Sequence, residues 1–232
     1  MGVFKKLFVI IILLLLSCST YIEGVPASPN SKEVEYVSVK RDSILKKSRD
    51  ASVEVSSYDY YGNLVSGSGA YVKYKDRYYI LTAAHVVSGS SVAMVSYGSE
   101  KIIAEVFYCD DVSDIALLSL EGMFTRTALN WKVASPKIGG RVLYTGFPNM
   151  YDNLTIEGYI SGTHSGRLIL HSYAWGGASG SVVLDRRGGI VGIVSAIDIG
   201  HGVSGHAQLV EDLVVVVPIS EIKIKDLYDS SL

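Results

Sequence analysis

The stretch Leu64-Val65-Ser66-Gly67-Ser68-Gly69-Ala70-Tyr71-Val72-Lys73-Tyr74, followed after Lys75-Asp76 by Arg77-Tyr78-Tyr79-Ile80-Leu81-Thr82-Ala83 and then Ala84-His85, reads as two extended runs. Both are rich in Val, Ile, Tyr and Thr, whose branched or aromatic side chains suit a pleated surface. The same rhythm holds from Ala51 onward, where such runs are broken by Gly, Ser, Asn and Asp at intervals of roughly 8–12 residues. An all-β fold follows. Working outward, strands are expected over 51–57, 64–74, 77–83, 92–97, 101–108 and 114–120, then over 141–147, 154–162, 166–173, 181–185, 189–197 and 208–218. They form two groups of six. Between them, a less regular segment from Glu121 to Lys132 leads into Ser135-Pro136-Lys137-Ile138-Gly139-Gly140, which marks a crossover. After Pro218, Ile219-Ser220-Glu221-Ile222-Lys223 suits a short C-terminal helix with Ser220 as its cap.

A chain of 232 residues with 48% hydrophobic and 19% charged side chains has ample material for a buried core, which excludes disorder of the whole. The 21 Lys plus Arg against 23 Asp plus Glu leave a net charge of -2 with no basic stripe, so nucleic acid is not an expected partner. Residues 1–18 carry Lys5 and Lys6 ahead of the uninterrupted apolar run Leu7 to Leu16, the pattern of an export signal. As a helix that run covers only about 15 Å, roughly half a bilayer's hydrocarbon thickness, so a stable span is disfavoured. Leu15-Leu16-Ser17-Cys18 resembles the lipobox of bacterial lipoproteins, which implies lipidation at Cys18; an ordinary signal peptide cut nearby, for example after Gly24 or Ala27, is the alternative. Residues 19–50 read as a polar tether in which 40–49 suit one or two helical turns. Apart from Cys18, Cys109 is the one cysteine, so the folded part carries no internal disulfide; within Val106-Phe107-Tyr108-Cys109 it is expected as a small core residue.

Three short words carry chemistry: Leu81-Thr82-Ala83-Ala84-His85, Asp114-Ile115-Ala116-Leu117-Leu118 and Gly177-Ala178-Ser179-Gly180-Ser181. A serine hydroxyl is a poor nucleophile at neutral pH. It needs an imidazole to take its proton and a carboxylate to hold that imidazole in the useful tautomer. The order His, Asp, Ser differs from the Ser, acid, His of α/β-hydrolases and the Asp, His, Ser of subtilisins. His85 and Asp114 fall in the first group of strands and Ser179 in the second, so the three would meet in a cleft between barrels.

With Gly67-Ser68-Gly69, Gly146-Phe147-Pro148, Gly192-Ile193-Val194-Ser195 and Val217-Pro218-Ile219 added, residues 51–225 resemble the chymotrypsin-fold (trypsin-like) serine proteases, and among them the HtrA-like bacterial and phage branch. The resemblance implies two six-stranded antiparallel β-barrels, the first over about 51–120 and the second over about 138–218, with no room for a PDZ module behind them. It implies Ser179 as nucleophile, His85 as general base and then acid, Asp114 as the orienting carboxylate, and the N–H groups of Gly177 and Ser179 as the oxyanion hole. Ser195-Ala196-Ile197 would pair with the substrate backbone, and Tyr173, Ala174, Val194 and Ile197 would border a pocket for a small or medium apolar residue. Two departures stand out. Ala178 replaces the usual Asp or Asn, which leaves a trypsin-type activation salt bridge without a partner, and Ser181 replaces a glycine.

His201 and His206 lie in a Gly-rich loop without an evident third ligand, so a metal site is not expected there; neither is a cofactor. The leading expectation is an exported serine endopeptidase acting on protein or peptide substrates, lipid-anchored at a bacterial envelope membrane or otherwise periplasmic or secreted. The competing one is a catalytically inactive protease-fold binding protein tethered at the cell surface. Neither fixes an oligomeric state.

Overall fold

In a computed structural model, residues 41–120, 127–148, 151–201 and 207–222 are described, and the structural statements below concern these. Residues 1–40, with the expected export signal and Cys18, lie outside them, as do 202–206 with His206. No helix among the described residues is long and apolar enough to cross a membrane.

The first barrel is built from β1 (Ser52–Tyr58), β2 (Leu64–Tyr74), β3 (Arg77–Thr82), β4 (Val92–Tyr97), β5 (Glu100–Asp110) and β6 (Ile115–Ser119). These pair in the order β1-β4-β5-β6-β3-β2, and β2 returns to β1 to close the sheet. A seventh strand, β7 (Leu129–Asn130), lies parallel to β2 through Val72 and Leu129. It falls in the segment expected to be irregular. From there the chain crosses over: Ile190 N–H donates to Lys132 O and Ala134 N–H to Ile190 O, tying residues 132–134 to the second barrel.

That second barrel comprises β8 (Arg141–Gly146), β9 (Leu154–His164), β10 (Arg167–His171), β11 (Val182–Asp185), β12 (Ile190–His201) and β13 (Ala207–Pro218). It is closed in the order β10-β13-β12-β11-β8-β9. Two six-stranded antiparallel barrels are therefore present, as the strand rhythm anticipates. All pairings within them are antiparallel.

The two barrels meet through apolar surface, and this accounts for runs that do not alternate. Val183, Val191, Val194 and Val216 fill the second barrel, while Val182, Leu184, Ile190, Ile193 and Val217 join the core cluster of the first. Strands buried on both faces read as continuous hydrophobic stretches. Each fully buried Leu or Ile at this seam is worth about 1.5–3 kcal/mol, so the barrels are held together by the force that fills them.

Three expectations need correction. Residues 41–50, expected within a tether, form with Ala51 an 11-residue helix, α1 (Arg41–Ala51), longer than the one or two turns anticipated. It docks through Ile44 and the buried Ala51 against the first core and through polar contacts: Ser48 Oγ shares a 2.7 Å hydrogen bond with Thr145 Oγ1, Arg49 donates to Thr155 Oγ1, and Asn153 Nδ2 donates to Arg49 O. The C-terminal helix is a single 3-10 turn, Ile219–Glu221, following Pro218, with Ser220 inside it and no side-chain cap. Residues from 223 onward lie outside those described. Cys109 is exposed rather than in the core. A bulge in β5 between Val106 and Tyr108 sets Val106, Phe107 and Tyr108 all against the first core, and Cys109 takes the outward side that follows.

Candidate active site

His85 sits in α2 (Ala84–Val87), a single helical turn that begins where β3 ends. Ala84, Val86 and Val87 are buried, which leaves His85 as the residue of that turn facing outward; its side chain is 46% exposed. One wall behind it is glycine by necessity, because a Cβ on Gly67 would stand 2.6 Å from Val86 Cγ2 and 2.9 Å from Ser179 O.

Asp114 follows the turn at the end of β5 and has φ of 60°, a left-handed conformation unusual for a residue with a side chain. Backbone strain of this kind costs on the order of 1–3 kcal/mol and persists only where its surroundings over-determine it. Its carboxylate is gripped from both barrels. Oδ1 accepts the His85 backbone N–H at 3.0 Å and lies 2.9 Å from His85 Nδ1, while Oδ2 lies 3.0 Å from the same ring nitrogen and accepts the Ser195 hydroxyl. Burial alone pushes this carboxyl up, but the hydrogen bonds from the His85 ring, the Ser195 hydroxyl and the His85 N–H, with the imidazole's charge, outweigh it and hold Asp114 below the usual carboxylate range. With a carboxylate at Nδ1, the imidazole carries a proton there and presents Nε2 as the acceptor.

Ser195 reaches Asp114 because β12 bulges at this residue: Val194 faces Val216 and Ala196 faces Val215, so Ser195 is the extra one. Its freed carbonyl accepts the Ser179 hydroxyl at 3.3 Å. Ser179 Oγ is thus turned to Ser195 O and not to His85.

The loop that carries Ser179 is held rigidly. Ala178 N–H donates to Trp175 O, Ser181 N–H to Ala178 O, Gly180 N–H to Val194 O and Ser68 N–H to Ser179 O. The Ser68 hydroxyl donates to Gly177 O at 2.7 Å and receives the Phe147 N–H at 2.9 Å. Gly177 adopts φ of 93°, which an L side chain would resist. Among the described residues, no protein acceptor takes the N–H of Gly177 or of Ser179. Two unclaimed donors therefore flank the Ser179 hydroxyl. Ala178 is buried in the second core, where a carboxylate would lack a partner, so the loop is ordered by packing and hydrogen bonds.

Of the residues expected to border a specificity pocket, Ala174 and Val194 are buried in the second barrel's core, whereas Tyr173 is exposed, as is Ala196 of the expected substrate-pairing strand. Tyr173 stacks on Trp175 with ring centroids 6.2 Å apart, and its carbonyl accepts the Tyr144 hydroxyl. Ile197 lies in β12 opposite Val214. A hollow of about 370 Å³ lined by Ile44, Arg141, Val142, Leu143, Glu157, Asp185 and Arg186 contains none of His85, Asp114 and Ser179. The chemistry-bearing groups occupy the open seam instead. Among the described residues no group of His, Cys, Asp and Glu converges as a metal site would require.

Sequence reasoning assigned Ser195 only to a substrate-pairing strand and overlooked its hydrogen bond to Asp114. The hydrogen bonds of the Ser68 hydroxyl to Gly177 O and Phe147 N–H are likewise not legible in the sequence. Both depend on contacts between residues 81 and 109 positions apart.

Residues 67–193 match the family model described as trypsin-like peptidase domain, which is more than half of the chain. Among solved structures the chain is similar to the serine endoprotease from Yersinia pestis, with a TM-score of 0.66 and 20% identity, over 84% of this chain and 68% of that one. Among curated protein sequences nothing matches. At that identity the structural likeness speaks for the fold, while the family match covers the strands and loops that carry His85, Asp114 and Ser179. The chain belongs to the trypsin-like peptidase domain family and has the chymotrypsin-like fold.

Proposed function

We propose that the protein is an exported serine endopeptidase working through His85, Asp114 and Ser179. The observation that carries this reading is the Asp114 carboxylate, hydrogen-bonded at once to His85 Nδ1 and to Ser195, beside a Ser179 flanked by two unclaimed N–H groups. His85 Nε2 takes the Ser179 proton as Oγ attacks the scissile carbonyl, and Asp114 supports the imidazolium that forms. The N–H groups of Gly177 and Ser179 receive the developing oxyanion, an interaction whose loss typically costs about 3 kcal/mol of transition-state stabilisation. His85 then returns the proton to the leaving amine, and water repeats the sequence to release the acyl product. The chain's own residues carry each step of this scheme.

Ala174 and Val194 beside the Ser179 loop favour a small or medium apolar residue before the cut bond, and Ser195-Ala196-Ile197 supplies the strand edge for the substrate backbone. Residues 51–225 make up the protease domain in this reading, residues 1–18 the export signal, and Cys18 a lipid attachment point that ties the enzyme to an envelope membrane. A mature N-terminal peptide starting beyond Cys18 in mass spectrometry would rule out the anchor.

One observation favours a second reading, a protease-fold binding protein without turnover: the Ser179 hydroxyl points at Ser195 O. The peptidase reading requires the hydroxyl to turn from Ser195 O towards the imidazole, and side-chain rotations take picoseconds to nanoseconds. A fluorophosphonate probe discriminates the two. Labelling that vanishes in Ser179→Ala supports the peptidase, and folded protein that takes no label supports the binder.

A further inference from the structure

Asp114 is held by its carboxylate from two sides, yet its left-handed φ is set elsewhere, by the orientation of the peptide plane between Ser113 and Asp114. The oxygen of that plane is Ser113 O, and it accepts a 2.7 Å hydrogen bond from Arg167 Nη1. The other nitrogen of the same guanidinium, Nη2, donates to Val112 O at 3.0 Å. Arg167 belongs to the second barrel and the two carbonyls to the first.

We propose that Arg167 is a positioning residue for the hydrolytic reaction: its guanidinium, spanning Val112 O and Ser113 O, fixes the Asp114 backbone and so aims the carboxylate at His85.

Both ends of this clamp are anchored. Arg167 opens β10 directly after the two-residue turn Ser165-Gly166, with φ of 49° and 78°, the pattern of a tight hairpin in which His164 faces Arg167. Its neighbour Leu168 is buried and pairs with Val216 of β13 on the other side. The arm therefore starts from a strand that cannot drift. On the receiving side, Asp110 organises the turn: its Oδ1 accepts the Val112 N–H and its Oδ2 the Ser113 hydroxyl. Asp110 thus takes the donors of residues 112 and 113, and Arg167 takes their acceptors.

The choice of arginine follows from geometry. A planar fork of five N–H donors can bind two successive carbonyls at fixed spacing, whereas a lysine ammonium is a point charge on a flexible stem. Misplacing a catalytic group by about 1 Å can cost about a hundredfold in rate. A carboxylate whose backbone plane is free to turn is misplaced on that scale.

This inference rests on the peptidase reading, and its test separates the two. The variants are Arg167→Met, Arg167→Lys and Arg167→Ala, each checked for folding by thermal unfolding. With a fluorogenic peptide, Arg167→Met is expected to lose about ten- to a hundredfold in kcat with KM changed less than about threefold. Arg167→Lys is expected to recover only part of that loss, and ethylguanidinium added to Arg167→Ala to restore activity toward the wild-type rate. Independently of turnover, the downfield proton NMR signal of His85 Nδ1–H is expected to be sharp in the wild type and to broaden in Arg167→Met through exchange with water. Wild-type kcat and an unchanged Nδ1–H signal in folded Arg167→Met would overturn the proposal, as would a rate loss that only follows the unfolded fraction. Should the wild type hydrolyse nothing and take no fluorophosphonate, the peptidase reading fails, and the Nδ1–H signal still decides whether Arg167 positions Asp114.

Discussion

Replacing Asp114 by Asn keeps the shape of the side chain but removes its charge and one of the two acceptor oxygens that face His85 Nδ1. Oδ1 accepts two donors, the N–H and Nδ1 of His85, while Oδ2 faces the Ser195 hydroxyl, which can also act as an acceptor. An asparagine with its oxygen at the Oδ1 position sets its NH2 where Oδ2 stood, beside Ser195 but also 3.0 Å from His85 Nδ1, so the imidazole is no longer held in the Nδ1-protonated tautomer. Also lost is the attraction between a carboxylate and the imidazolium formed in the transition state. At about 4 Å between charge centres and an effective dielectric near 20, that attraction is about 4 kcal/mol. His85 is 46% exposed and Asp114 16%, so water and salt reduce it, and roughly 2–4 kcal/mol is the expected loss. In rate this attraction alone is roughly thirty- to a thousandfold in kcat/KM, and with the tautomer disturbed as well the drop is expected to reach about 10⁴. The assay is hydrolysis of a fluorogenic peptide alongside the second-order rate of fluorophosphonate labelling, since both need Ser179 activated. Both should fall together, with the circular dichroism spectrum unchanged. A folded Asp114→Asn protein that keeps more than about a third of the wild-type kcat/KM would refute the electrostatic argument.

Gly180→Ala should destabilise the whole domain: φ is 88°, and the new Cβ would stand 2.0 Å from Ser68 O and 2.4 Å from Thr82 Oγ1, two atoms already hydrogen-bonded to each other. Left-handed strain of about 1–2 kcal/mol and overpacking of about 1–3 kcal/mol lower Tm by roughly 4–20 °C, and a Tm within about 2 °C of wild type would count against this geometry. Asp114 is held below the ordinary carboxylate value, so its stabilising contribution is complete above the unfolded value of about 3.9 and is lost as pH falls through the folded one. Denaturant titrations between about pH 2 and 5 should show a shallower loss of stability in Asp114→Asn, and equal slopes would be the contrary result. Burial, with the Asp111 carboxylate beside it, pushes the Cys109 thiol up to about 11. Iodoacetamide at pH 8 should alkylate it at least about tenfold more slowly than a free thiol despite its exposure, and labelling as fast as glutathione would contradict that.

The strand rhythm, the two groups of six and the three words were legible because each is written in neighbouring residues: alternation or apolar runs for strands, a His just past β3, an Asp ahead of β6, a Gly-bracketed Ser. Register was not legible. Every side chain on a strand changes face with a one-residue slip, and a bulge is such a slip applied locally. The bulge in β5 puts Cys109 outside where a simple run would bury it, and the one in β12 turns Ser195 from a strand residue into a hydrogen-bond donor to Asp114. Helix α1 escaped for a related reason, since beside the few apolar contacts of Ile44 and Ala51 its dock uses Ser48 and Arg49 against Thr145 and Thr155. These same features tie the two barrels together at the site. Asp114 lies in the first barrel, but Ser195 holds its carboxylate and Arg167 its preceding peptide from the second, at 81 and 54 residues' distance along the chain. The carboxylate can therefore be aimed only when both barrels have folded and docked. A half-folded chain would hold His85 and Asp114 on one barrel without the grip that completes them, so the capacity for hydrolysis arrives with the finished seam.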